Sequence, residues 1–181
     1  MSWIAPKVWV WLTVSLGTLA VDRLTKAWVD SELALGEQRT VVEGWLYLTH
    51  ARNRGAAFGW FADSDPQLKS ILFASAAGLA VAVVLLHLVG LAPGDRRVAS
   101  ALGLVAGGAV GNLIDRIPQL GAGEVIDFLH IDFWGGYEWP DFNVADVAIV
   151  LGVAGLLVDM IARESTLRAD HEPIDADESR L

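Results

Sequence analysis

The chain is built from long apolar runs separated by polar segments, and each run has the length of a membrane crossing. A bilayer core of ~30 Å calls for about 20 predominantly apolar residues per helix, and residues 8–29, 71–92, 98–117 and 144–162 all meet that requirement. Four spanning helices are therefore expected. The first two are separated by a long polar segment, residues 30–70, and the last two by a shorter one, residues 118–143. Only Pro93, Gly94 and Asp95, followed by Arg96 and Arg97, stand between the second and third, which reads as a tight turn. Inside the first long segment, Val41-Val42-Glu43-Gly44-Trp45-Leu46-Tyr47-Leu48-Thr49 alternates β-branched and aromatic residues beside a glycine, a pattern that favours strand. The expected fold class is an all-α integral membrane protein, four transmembrane helices with a small β-sheet outside the bilayer.

Composition agrees, since 54% of the residues are apolar and the mean hydropathy is positive, more than an average soluble domain carries. The net charge of -9 does not make this an acidic soluble protein, because six of the 22 acids lie between Glu164 and Glu178. Residues 164–181 have little apolar surface to bury and are expected to be a disordered cytoplasmic tail, leaving residues 1–163 as the membrane domain. Without cysteine there is no disulfide framework, thiolate metal site or cysteine nucleophile. The first apolar run ends in Asp22, Arg23 and Lys26 rather than in a small-residue cleavage motif, so it reads as a retained anchor.

Basic residues choose the orientation. Lys7, Arg96, Arg97, Arg163 and Arg168 fall in short segments on the side of both termini, whereas Arg39, Arg52, Arg54 and Lys69 are spread through the much longer first loop and the second long loop has none. The positive-inside rule then places both termini in the cytoplasm and both long loops, with the sheet, on the extracytoplasmic side.

Ionisable groups within spans are costly unless paired or facing a polar cavity, so each needs a reason. Asp22 and Lys26 lie one turn apart and are placed to pair. On the third span Asn112, Asp115 and Arg116 project from one face, with Gly108 one turn earlier clearing space beside them. Gly103, Gly107 and Gly111 repeat at four-residue spacing, a stripe that admits a close neighbouring helix. Asp127 follows within Glu124-Val125-Ile126-Asp127-Phe128-Leu129, a short strand or helix end, and Asp146 opens the fourth span one turn after Asn143.

With both loops outside, Asp127 and Asp146 lie at the same membrane face. Two carboxylates brought close cannot both ionise cheaply and share a proton near neutral pH. One member then takes a proton from water while the other donates to a scissile carbonyl, which is hydrolysis without a covalent intermediate. Other chemistries lack their motifs. None of His50, His87, His130 and His171 belongs to an HExxH zinc motif, no serine sits in a GxSxG elbow, and neither a phosphate-cradling loop nor a basic patch for nucleic acid is present. His87 reads as a packed or pore-neutral span residue rather than a ligand, and His50 and His130 as external residues, either surface or site-adjacent, with surface preferred. No metal or cofactor is expected. The rival readings are a small carrier or channel that relays ions through the aspartates and Arg116, and a structural subunit glued by the same groups. The carrier reading has no internal repeat or pair of broken helices behind it.

Five ordered motifs give the chain a resemblance to the bacterial lipoprotein signal peptidase (signal peptidase II) family: Asp22-Arg23-Leu24-Thr25-Lys26, Asn53-Arg54-Gly55-Ala56-Ala57-Phe58, Gly107-Gly108-Ala109-Val110-Gly111-Asn112-Leu113-Ile114-Asp115-Arg116, Val125-Ile126-Asp127-Phe128 and Phe142-Asn143-Val144-Ala145-Asp146. The resemblance extends to about Arg163. It implies an inner-membrane aspartyl endopeptidase that removes the signal peptide from diacylglyceryl-modified prolipoproteins, cutting before the lipidated cysteine, with membrane lipid around it and no nucleic acid, as a monomer. It implies Asp127 and Asp146 as the catalytic pair. Asn53, Gly108, Asn112, Arg116, Asn143 and Ala145 are implied as substrate-binding positions, with Asp22, Lys26 and Asp115 as structural support. After Phe58 a short covering helix is implied. Val147 departs from the family pattern, where a small hydroxyl residue is common, and so does the acidic tail.

Overall fold

A computed structural model describes residues 5–53, 65–117, 120, 123–133 and 136–170, except the side chains of residues 66, 67, 69, 70 and 166–170. Its elements run α1 (Pro6–Glu32), β1 (Gln38–Val42), β2 (Leu46–Asn53), α2 (Pro66–Gly90), α3 (Arg96–Arg116), β3 (Val125–Phe133), β4 (Tyr137–Phe142) and α4 (Val144–Asp170). Prolines open α1 and α2, where the ring's fixed φ suits the first helical turn and the missing N–H costs nothing. Because of Pro66, α2 starts five residues earlier than the apolar pattern alone indicates. At the other end α4 continues to Asp170, seven residues past the boundary expected at 163.

Three helices are long and apolar enough to cross a membrane among the described residues: Ile71–Gly90 in α2, Arg96–Arg116 in α3 and Val144–Ser165 in α4. With 27 residues α1 is as long as any of them, but Asp22, Arg23 and Lys26 lower its hydropathy. In α3, 72% of the apolar window is buried, against 11% in α2 and 17% in α4, which makes α3 the central helix. Leucines and valines such as Leu86, Val89, Val150 and Val158 point outward instead. The arrangement is that of a protein whose surroundings are apolar and whose polar groups face inward.

Glycine lets the helices close on α3. A Cβ on Gly103 would meet Val14 Cβ at 2.9 Å, and one on Gly107 would meet the Ser15 carbonyl oxygen at 2.6 Å, both on α1. On the flank facing α4, a Cβ on Gly108 would lie 2.5 Å from the Ala145 carbonyl oxygen. The stripe of small residues thus receives α1, and Gly108 receives α4.

The four strands form one antiparallel sheet in the order β1-β2-β3-β4. The alternating run 41–49 is not one strand, because Glu43, Gly44 and Trp45 turn it into a hairpin and Gly44 takes a φ of +71° that favours glycine. The second loop contributes two full strands where only a short element around Asp127 is expected. It does so because β2 offers β3 a partner edge, Ala51 pairing with Asp127 and Asn53 with Val125, and β4 pairs along the other edge of β3. The four residues of β2 and β3 named here lie on one face by strand alternation. The covering helix implied after Phe58 falls among residues 54–64, outside the described residues.

Gly107→Ala is expected to destabilise the protein by about 1–3 kcal/mol through overpacking at the α1–α3 seam, whereas Gly78→Ala, where nothing lies within 4 Å, is expected to have no such effect. Thermal unfolding in detergent measures both, and equal midpoints for the two variants would contradict this packing account.

Candidate active site

The start of α4 organises the polar residues. Asn143 is the N-cap: its carbonyl accepts the first helical hydrogen bond from Val147 N–H at 3.2 Å. Its side-chain Oδ1 accepts from Asp146 N–H at 3.1 Å, and Asp146 Oδ2 accepts from Asn143 N–H at 3.1 Å. This reciprocal pair is a capping box, which satisfies two otherwise orphaned helix donors. It leaves the Asn143 amide free to donate elsewhere, and it donates to Asp127 Oδ1 at 2.6 Å and to Asn112 Oδ1 at 3.3 Å. One fully buried side chain therefore joins Asp146 on α4 to Asp127 on β3.

Each carboxylate has a second donor. Asn53 Nδ2 donates to Asp127 Oδ2 at 2.9 Å, and Asn112 Nδ2 donates to Asp146 Oδ1 at 2.9 Å. Both aspartates line one cavity of about 470 Å³ together with Asn53, Asn112 and Arg116. Ala51, Val125, Trp139, Pro140, Asp141 and Phe142 complete its wall. The Arg116 guanidinium lies 5.0 Å from the centre of the Phe73 ring, within cation–π range. Asp127 is only 2% exposed, and burial raises its pKa to about 7; the hydrogen bond from Asn53 opposes the rise and the charge of Asp146 adds to it. A carboxyl group that holds its proton near neutral pH is suited to donate it.

Behind the cavity sits a buried charge network. The Lys26 ammonium, fully buried, lies 2.9 Å from Asp22 Oδ1 and 2.7 Å from Asp115 Oδ2, and donates to Asn112 Oδ1 at 2.9 Å. Arg23 forms an ion pair with the same Asp115. Two cations thus face two anions, so these charges are buried only as pairs. Asp22 also accepts the Ala145 N–H at 3.2 Å, a favourable place for an anion beside the N-terminus of α4. Gly111 makes room for it, since a Cβ there would lie 2.4 Å from Asp22 Oδ2.

The structure brings Asn53, Asn112, Arg116, Asp127 and Asp146 to one cavity, with Asn143 buried beneath it. Gly108 and Ala145 are placed elsewhere: they face each other in the α3–α4 seam behind the cavity, because Gly108 is where the α4 backbone packs. His50 is buried, not on the surface, with its Nδ1–H donated to the Leu33 carbonyl at 2.9 Å. His87 is exposed on α2 rather than packed. His130 is half-buried between Asp141, 2.6 Å from Nδ1, and Asp132, 3.0 Å from Nε2. Asp141, Trp139 and Pro140 on β4 were not singled out by sequence, because no span or motif marks that strand. The Asn143-to-Asp146 spacing did carry a readable capping-box signal.

A cavity at the junction of apolar helices and a sheet, lined by the carboxylates of Asp127, Asp146 and Asp141 and by no serine or threonine among the described residues, defines a membrane enzyme that works by acid–base chemistry. A profile described as "Signal peptidase (SPase) II" matches residues 14–162. The chain is 42% identical over 159 residues to the lipoprotein signal peptidase of Geobacter sulfurreducens, covering 88% of this chain and 96% of that protein. It is 37% identical over 163 residues to the lipoprotein signal peptidase of Pseudomonas aeruginosa, covering 90% and 93%. A solved bacterial membrane enzyme, determined by the in meso method at 2.3 Å resolution, superposes with a TM-score of 0.74 at 25% identity over 86% of this chain and 90% of that one. The chain belongs to the signal peptidase II family, a family of aspartic proteases.

Asp127 should titrate near pH 7 in the carboxyl infrared spectrum. Its raised value means that its contribution to stability is present below its ordinary pKa of 3.8 and is lost as pH rises through about 7. Asn53→Ala is expected to move the titration upward and Asp146→Asn downward; shifts of the opposite sign would contradict the causes assigned here.

Proposed function

We propose that this chain is the membrane aspartyl endopeptidase that removes the signal peptide from diacylglyceryl-modified prolipoproteins, cutting before the lipidated cysteine, with Asp127 and Asp146 as its catalytic pair. The observation that carries the reading is the shared cavity of these two carboxylates, each bound by two donors and bridged by Asn143.

In the proposed reaction a water molecule lies between the carboxylates and the scissile carbonyl. The unprotonated member accepts a proton from the water as its oxygen bonds to the carbonyl carbon, and the protonated member donates to the carbonyl oxygen. Burial favours Asp127 as the proton donor. The tetrahedral intermediate then collapses: the C–N bond breaks, the amine leaves with a proton from the pair, and the new carboxyl group retains the water oxygen. Asn53, Asn112 and Asn143 hold the carboxylates in place, and Arg116 supplies positive charge at the wall of the cavity.

The same proposal includes four spans. A helix of 27 residues extends ~40 Å at 1.5 Å per residue, and the charges that lower the hydropathy of α1 are turned inward and paired. Lys7, Arg96, Arg97 and Arg163 gather at the end away from the carboxylates, where Lys7 reaches the Leu88 carbonyl at 2.8 Å and Arg163 reaches Asp95 at 2.7 Å. That distribution favours cytoplasmic termini and an extracytoplasmic active site. A lipid-anchored substrate keeps its acyl chains in the bilayer, which brings its scissile bond to the interface. The protein is proposed to act as a monomer on this substrate.

Cells co-expressing a lipid-modified precursor should accumulate it uncleaved with either Asp127→Asn or Asp146→Asn, with rate losses of about a hundredfold to ten-thousandfold in purified enzyme. The wild-type rate should fall on the alkaline side around pH 7, as Asp127 gives up its proton. Normal processing by either variant would remove the dyad mechanism.

A further inference from the structure

Two cavities meet at the end of the helical bundle away from the carboxylates. One, of about 420 Å³, is a groove lined by His87, Leu91, Val98, Leu156, Leu157 and Met160. The other, of about 470 Å³, holds Asp95, Arg96 and Arg97 at the turn between α2 and α3. Asp159 and Arg163 belong to both, so the apolar groove runs directly into the charged cavity.

The groove exists because α2 and α4 each pack on α3 and scarcely on one another. Its floor is Val98, 3% exposed, and its α4 wall includes Leu157 at 50% and Met160 at 58%. Helices that face hydrocarbon on either side leave a slot of the same apolar character between them.

The charged cavity is not balanced. Arg163 is held by Asp95 at 2.7 and 2.8 Å and by Asp159 at 2.5 Å, which uses both local carboxylates on one guanidinium. Arg96 and Arg97 are exposed and have no ion pair among the described residues. Three arginines against two aspartates leave one net positive charge at the mouth of the groove. Arg96 and Arg97 also stand in the first turn of α3, where the helix dipole disfavours cations, an unfavourable placement that a bound anion would offset.

We propose that this end of the bundle holds an anionic phospholipid, with one acyl chain in the groove between α2 and α4 and its phosphate at Arg96 and Arg97. A free anion has no use for the apolar slot, and a zwitterionic lipid does not answer the excess charge. Basic pockets between spanning helices recognise anionic headgroups in this way.

The test titrates the detergent-solubilised full chain with phosphatidylglycerol or with phosphatidylcholine of the same acyl chains and counts retained lipid by intact-mass measurement. Wild-type protein should retain one phosphatidylglycerol in preference to phosphatidylcholine, and inorganic phosphate should not displace it. The double variant Arg96→Gln, Arg97→Gln should lose roughly thirtyfold in affinity for phosphatidylglycerol alone. Leu157→Trp, which fills the groove and leaves the arginines in place, should weaken both lipids. Unfolding temperature without added lipid checks that the variants are folded; should the double variant fail that check, the single variants carry the test, each with a loss of roughly fivefold. Equal retention of the two lipids, no loss in the arginine variants, displacement by inorganic phosphate, or indifference to Leu157→Trp would overturn the proposal.

Discussion

The bond from the Asn143 amide to Asp127 is the constraint around which the site is arranged. Asn143 must cap α4, since without a cap the helix would begin with orphaned donors in a buried setting. It meets that need with its backbone and its Oδ1, through the reciprocal pair with Asp146. Only its Nδ2 donors remain, and one of them is taken by Asp127 at 2.6 Å. The position of the α4 terminus and that of the β3 carboxylate are therefore fixed by one side chain. A change there would disturb helix and sheet together.

The rest of the molecule keeps that point in register. Lys26 ties α1 to α3 through Asp115 and Asn112, Asp22 ties α1 to the first turn of α4 through the Ala145 N–H, and Asn112 reaches Asp146. Three helices thus converge on a polar floor under the cavity, and the glycines of α3 allow them to approach closely. From the other side the β2–β3 ladder brings Asn53 and Asp127 down together. Charges that would be expensive singly in an apolar surrounding are present as pairs, and the local dielectric that raises Asp127 comes from the same enclosure.

Much of this was legible from residues 8–162. The spans at 71–92, 98–117 and 144–162 announce themselves by length and apolarity, and the cost of intramembrane charge singles out Asp22, Lys26, Asn112, Asp115 and Arg116. Their division of labour was not legible: helical spacing puts Asn112, Asp115 and Arg116 on one face, yet Asp115 turns to Lys26 and Arg23 while Arg116 turns to the cavity and Phe73. Side-chain length and the position of α1 decide that, and neither is local. Strand β3 was underestimated because its pairing depends on β2, some 80 residues distant in the chain, and β4 because it pairs along β3 in turn. His50 read as a surface residue for the same reason, since its burial depends on the Leu33 carbonyl across the first loop. Val147, the visible departure from the family pattern, proves to be exposed, on the outside of the helix whose inner face carries Asp146.

The central claim is that the two carboxylates direct a water molecule at the peptide bond and never become acylated themselves. A single turnover in heavy-oxygen water, followed by mass analysis of the released signal peptide and of the enzyme peptides bearing Asp127 and Asp146, reads this directly. The account predicts label in the new carboxyl group of the product and none in either aspartate. Label in an aspartate after that one turnover would mean a covalent intermediate, and would contradict it.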